Sequence, residues 1–139
     1  MYVVIFLLLC DFCNVNMKTL VVLKKIAIPL ILLSVSLLGA WFYRPWIYGD
    51  QINDWHIADS FPSFFSIQVP YYFYDSFCSL TGKQFKSNQA ILGIVIGNIF
   101  YELIQIPIGG FDWFDILAIF IGAAVVFFLD RLGFRVTHQ

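Results

Sequence analysis

Glu102 and Gln105, near the end of a long apolar run, and Asp112 and Asp115, just beyond it, are the side chains best placed by type and spacing to do chemistry. Residues three apart share one face of a helix, so the members of each pair project together. A carboxylate inside an apolar run is costly to ionise, which makes Glu102 a functional candidate by default. At about 1.5 Å rise per residue it lies roughly 18 Å along the helix from Ala90, in the outer half of a membrane. Two readings of the aspartates stay open. Asp112 caps the next helix and both acids favour its positive end, a local effect of about 0.3–1 kcal/mol each. Alternatively, Glu102, Asp112 and Asp115 converge to bind a cation, a proton or a polar lipid head group.

A weaker set lies upstream. Asp54, His56 and Asp59 stand in a polar, acidic stretch, and Arg44 is the one basic residue near them. A histidine among carboxylates can act as general base, metal ligand or plain solvated loop residue. Arg44 can pair with one of the acids or reach toward lipid phosphate. Asp75, in a second apolar run, is a further buried-acid candidate, with Ser76 and Ser79 at hand to satisfy it. No spacing matches H-E-x-x-H or another metal motif, and there is no phosphate loop or nucleophile elbow. The chain therefore implies no cofactor, assigns no metal, and offers least support to an enzyme.

The elements that must position these residues follow from composition. Of 139 residues 60% are hydrophobic and 12% charged, and the mean hydropathy is +0.82, more apolar than one soluble core can hide. A span needs roughly 20 apolar residues, so the length allows about four or five. A net charge of -1 with scattered Lys and Arg excludes a nucleic-acid surface. The reading is an all-α membrane protein, a bundle of about four transmembrane helices over residues 26–46, 61–80, 90–106 and 114–129. Pro29 falls in the first turns of the first span, where a missing N–H is tolerated. Trp41, Tyr43, Trp46 and Tyr48 form an aromatic belt at its far end. Asp59 and Ser60 are candidate caps for the second span, with Pro62 near its first position and Pro70 as a kink inside it. Gly93-x-x-x-Gly97 and Ala118-x-x-x-Gly122 place small residues one turn apart for close helix packing.

Lys18, Lys24, Lys25, Lys83, Lys86, Arg131 and Arg135 all fall on one side of this scheme, which is then cytoplasmic and holds both termini. The loop carrying Asp54, His56 and Asp59 and the turn before Trp113 face outward. Residues 1–16 hold an apolar run too short for a span and lack the basic start of a secretory signal. They read as an N-terminal extension, with Met1 and Met17 the two candidate starts. Cys10-x-x-Cys13, with Cys78, has no second ligand pair for a zinc site.

The stretch from Glu102 to Gly122, with Glu102, Gln105, Gly110, Asp112, Asp115 and Gly122 in matching places, resembles the VanZ-like family of small membrane proteins. Asp59-Ser60-Phe61-Pro62-Ser63-Phe64 resembles the entry to the second helix in some relatives, while Asp54-Trp55-His56 departs from the family's Asp-x-x-x-His spacing. The resemblance implies a multi-span, bacterial, cell-envelope protein whose founding association is with glycopeptide-antibiotic resistance, and no defined reaction. The expected function is a single domain over residues 17–139. It binds an envelope lipid or cell-wall precursor head group at the outer leaflet through Glu102, Gln105, Asp112 and Asp115. The alternative is a small proton- or cation-coupled transporter using Glu102. Expected partners are membrane lipid, a cation or head group, and a second copy in a homo-oligomer.

Overall fold

The computed structural model describes residues 17–108 and 110–134, and among them every regular element is helical. The extension at residues 1–16, with Cys10 and Cys13, and Arg135 lie outside the described residues. Helix α1, Met17–Leu38, runs into a π-helical turn, Gly39–Tyr43, and then into α2, Arg44–Gly49. Three long helices follow: α3, Ile57–Thr81; α4, Ser87–Gln105; and α5, Trp113–Arg131. A short 3₁₀ turn, Ile106–Ile108, leaves α4 toward α5.

The first helix starts earlier than its apolar run, because Met17–Lys25 contains no helix breaker. Pro29 is consequently an interior residue and fully buried, not a first-turn proline. Its ring removes one backbone donor from the middle of α1. The π turn closes with the Arg44 N–H bonded to the Gly39 carbonyl. One extra residue rotates everything beyond it by about 100° relative to an unbroken α-helix. Gly39 is needed there: a Cβ would fall 2.3 Å from the Cδ1 and Cε1 atoms of the Phe61 ring.

Helix α3 also begins ahead of expectation, at Ile57 rather than beside Asp59-Ser60. The Ala58 N–H donates to Asp54 Oδ2 at 2.6 Å, and His56 takes a left-handed conformation (φ 64°) at the cap position. Asp54 thus performs the capping expected of Asp59 and Ser60, and frees Asp59 to face elsewhere. At the other end Gly82, also left-handed, donates its N–H to the Cys78 carbonyl and stops the helix.

Helix α3 is the hub. It packs against α1, α4 and α5, and α4 packs against α5, whereas α1 makes no close approach to α4 or α5 among the described residues. Ile67, Tyr71, Tyr72, Ile119 and Val126 form the core, flanked by Leu32, Phe85, Ile91, Ile94 and Val95. The α3–α5 contact depends on Gly122, where a Cβ would stand 2.6 Å from the Phe64 carbonyl oxygen. Ala118 is buried beside it, one turn earlier. The Gly93 and Gly97 pair lies on an exposed face of α4, with open space where a Cβ would be. Of the two small-residue motifs, only the second is used for packing within the chain.

Three helices are long and apolar enough to cross a membrane: Ile26–Gly49, Ser87–Gln105 and Trp113–Arg131. Their outward faces are rows of apolar side chains such as Leu92, Ile96 and Phe100, each more than half exposed, as lipid contact requires. Helix α3 is long enough but less apolar. Its polar residues Gln68, Asp75 and Ser76 are buried against its three neighbours, which is where a membrane bundle keeps such groups. Among the described residues the fold is all-helical, and three of its helices have the length and apolar composition of membrane spans.

Candidate functional site

The far end of α1–α2, the start of α3, the end of α4 and the start of α5 meet at one end of the bundle, and the acids meet with them. Beyond the π turn, Arg44 and Tyr48 are four apart and share a helix face. Arg44 Nη2 lies 2.8 Å from Asp59 Oδ1, and the Tyr48 hydroxyl donates to Asp59 Oδ2. Asp59 is therefore held from the side by two groups of the preceding helix. The pair remains partly open, with side chains 49% and 23% exposed, so solvent screens it.

His56 bridges two carboxylates. Its Nδ1 stands 3.9 Å from Asp59 Oδ2 and 4.0 Å from Asp112 Oδ2, within ion-pair range but beyond hydrogen bonding. The imidazole is stacked on Phe114, with ring centroids 4.6 Å apart and planes 10° from parallel. The backbone puts it there at some cost, since Gln51, Trp55 and His56 all have positive φ without being glycine. Strain of about 1–3 kcal/mol per such residue persists only where surrounding contacts enforce it.

The α4–α5 connection brings in the rest. The Gly110 N–H donates to the Gln105 carbonyl at 3.2 Å, closing the turn. Asp112 caps α5 by accepting the Phe114 N–H at 2.9 Å, and its second oxygen faces His56. Both readings of Asp112 hold together: it is a cap, and it belongs to the cluster. Asp115, one turn into α5, accepts from the Ser63 hydroxyl of α3 at 2.8 Å. Glu102 is buried, and the Gln105 amide donates to its Oε2 at 3.3 Å. Asp115 and Asp112 both act on Glu102 electrostatically, and Asp59 and Arg44 act on Asp115 with opposite signs. Four carboxylates, from Asp59, Glu102, Asp112 and Asp115, are thus linked electrostatically, and the Arg44 guanidinium acts on two of them, Asp59 and Asp115.

Of the residues singled out from sequence, Glu102, Gln105, Asp112, Asp115, Arg44, His56 and Asp59 converge here. Asp54 stands apart as the cap of α3. Asp75 is fully buried further along α3, toward its opposite end. Among the described residues no three His, Cys, Asp or Glu side chains are grouped closely enough to hold a bare metal ion. Tyr48 and Ser63 were not anticipated. Their link to the acids spans 11 and 52 residues, and no local spacing announces it.

A second polar cluster occupies the opposite end. The Tyr71 hydroxyl donates to Asp130 Oδ1 at 2.7 Å, and the Ser87 hydroxyl to Oδ2 at 2.9 Å, all three side chains being buried. Tyr71 comes from α3, Ser87 from the first residue of α4 and Asp130 from the last turn of α5. This triad pins three helices together, and Asp75 and Asp130 both act electrostatically on Tyr72. Two polar clusters thus tie the helices together, one at the start of α3 and one joining its middle to the start of α4 and the end of α5.

No protein-family model matches the chain, and no curated protein or solved structure shows significant similarity to it.

Proposed function

We propose that this is a four-span, VanZ-like protein of a bacterial cell membrane, with both termini cytoplasmic. Its carboxylate-lined end binds the polar head group of an envelope lipid or cell-wall precursor at the outer leaflet. The observation that carries the reading is the convergence of Asp59, Glu102, Asp112 and Asp115 from three helices at one end of the bundle, with Arg44 paired to Asp59. Such an excess of negative charge, spread wider than a bare ion's coordination shell, suits an ammonium-bearing head group, or a phosphate reached through a bridging cation. The orientation rests on Lys83, Lys86 and Arg131 lying at the other end. Exposed Trp46, Trp55 and Trp113 flank the acidic end, where aromatic side chains favour a membrane boundary. Helix α3 counts as the fourth span by its 25-residue length and its place at the bundle centre. The VanZ-like resemblance adds that Gly122, one of its matching positions, is the glycine on which the α3–α5 contact depends.

A second reading is favoured by one feature. Glu102 is buried with Gln105 as its hydrogen-bond partner, an arrangement that also suits the coupling acid of a proton- or cation-driven transporter.

Native mass spectrometry of the full chain released from mild detergent, wild type against Glu102→Gln, tests the proposal. The head-group reading predicts a discrete lipid retained by wild type and reduced at least several-fold in the variant. Loss of proton or cation flux from liposomes on the same substitution, with no lipid retained by either protein, would replace it with the transporter reading.

A further inference from the structure

Helices α1 and α5 each pack against α3 but not against each other, leaving a groove over α3 between them that runs from Phe64 to the neighbourhood of the Tyr71–Asp130 cluster. The cavity has a volume of about 670 Å³ and is lined by Ile28 and Leu32 of α1, Phe64, Gln68 and Tyr72 of α3, and Leu129 of α5, among others. That volume falls within the range of small-molecule sites, roughly 300–1,000 Å³, which pair apolar walls with a few convergent polar groups. The walls here are apolar and aromatic. The polar exception is the Gln68 amide, on a residue only 4% exposed, whose Nε2 and Oε1 both lack a hydrogen-bond partner. Buried polar atoms are nearly always paired, so an orphaned donor and acceptor on one amide calls for a partner that the described residues do not supply.

The chemistry of that partner is constrained on three sides. It must present a hydroxyl or carbonyl to the amide, because both of its hydrogen-bonding atoms are open. It must carry a long apolar chain, because the remaining lining is Ile, Leu, Phe and Val with the Tyr72 ring. It must not be anionic: among the described residues no Lys or Arg lines the cavity, and Tyr72 feels the carboxylates of Asp130 and Asp75. An anionic head would be buried there without a counter-ion, at high cost. Helix α3 places Gln68 mid-way along its length, about 16 Å from Ile57, at a depth that only a membrane-dissolved molecule reaches.

We propose that the α1–α3–α5 groove is a binding site for one neutral long-chain lipid, such as an alkyl or isoprenoid alcohol or quinone, held by hydrogen bonds to the Gln68 amide. It is independent of the head-group site, since neither Glu102 nor Asp115 lines it.

The test uses the full chain in nanodiscs with a photoreactive diazirine derivative of hexadecanol, the labelled peptides being mapped by mass spectrometry. Labelling is expected to concentrate on residues 64–72 and 125–129, to be competed by excess hexadecanol but not by palmitate, and to fall at least five-fold in Gln68→Leu. Leu129→Trp fills the groove without touching the amide and should give the same loss, so a fold defect peculiar to position 68 does not decide the outcome. Glu102→Gln should label like wild type, which separates this site from the acidic end. Labelling spread evenly over lipid-facing residues such as Leu92 and Phe100, unaffected by either variant, would overturn the proposal. So would efficient disulfide linkage of two copies through Leu129→Cys in place of labelling, which would give the groove to a second chain.

Discussion

Replacing Gly122 by alanine adds one methyl group where α5 meets the backbone of α3, and its effect follows from a single distance. The new Cβ would lie 2.6 Å from the Phe64 carbonyl oxygen and 3.5 Å from Ile67 Cγ1. An ordinary contact begins near 3.4 Å, so α3 and α5 must separate by about 0.8 Å or the side chain must be accommodated by strain. Backbone cannot rotate out of the way as a side chain can. Overpacking of this kind costs about 1–3 kcal/mol, partly offset by the gain of up to about 1 kcal/mol from exchanging glycine for alanine within a helix. The net expectation is a loss of about 1–2 kcal/mol. Gly93→Ala and Gly97→Ala add the same methyl to open space, so they should be neutral or gain up to about 1 kcal/mol. Unfolding in mixed micelles by increasing sodium dodecyl sulfate, followed by circular dichroism, measures all three. A stable Gly122→Ala alongside destabilised Gly93→Ala and Gly97→Ala would refute the packing described, and would place the α4 small-residue face at the chain's internal contact.

Other expectations concern the two polar ends. Tyr71→Phe and Ser87→Ala each remove one donor from buried Asp130 and should cost about 1.5–3 kcal/mol, the range for hydrogen bonds to a charged acceptor. Because they share that acceptor, the double variant should depart from additivity by at least 0.5 kcal/mol in a mutant cycle. Arg44→Ala should cost no more than about 1 kcal/mol, with the difference from wild type shrinking as salt rises, since the Arg44–Asp59 pair is partly exposed. Asp112→Ala should lose about 0.5–2 kcal/mol through the missing cap of α5, whereas Asp112→Asn, still able to cap, should keep most of that stability and lose the carboxylate facing His56.

The helices were legible because their apolar runs are long. The last two were placed within three residues of their observed ends. The start of α3 was not legible for a definite reason. Asp59 and Ser60 have the right type for a cap, and nothing local shows that Asp54 takes the role once His56 adopts a left-handed backbone. The π turn at Gly39–Tyr43 was invisible for a similar reason, since it depends on the Phe61 ring lying against Gly39 from another helix. Within the site, Glu102 with Gln105 and Asp112 with Asp115 were legible as three-residue spacings flanking a turn. Tyr48 and Ser63 join through contacts between elements, as do Tyr71, Ser87 and Asp130, whose carboxylate meets Tyr71 across 59 residues. A trace of the interior of α3 was present in Gln68, Tyr72 and Ser76, four apart in turn, which mark one face of a helix. That α4 exposes its glycines while α5 buries its own could not follow from two motifs of the same form.

If the acidic end touches a lipid head group, a crosslinker placed at that end will capture it. Phe111 is half-buried and lies in the connection between α4 and α5, next to Asp112. A benzoyl-phenylalanine at position 111, irradiated in membranes of mixed lipid composition, reports which lipid occupies the site. One head-group class is expected to be captured well above its share of the bilayer, with that enrichment lost in Glu102→Gln and in Asp115→Asn. Capture in proportion to bulk lipid, unchanged by either substitution, would contradict the head-group reading.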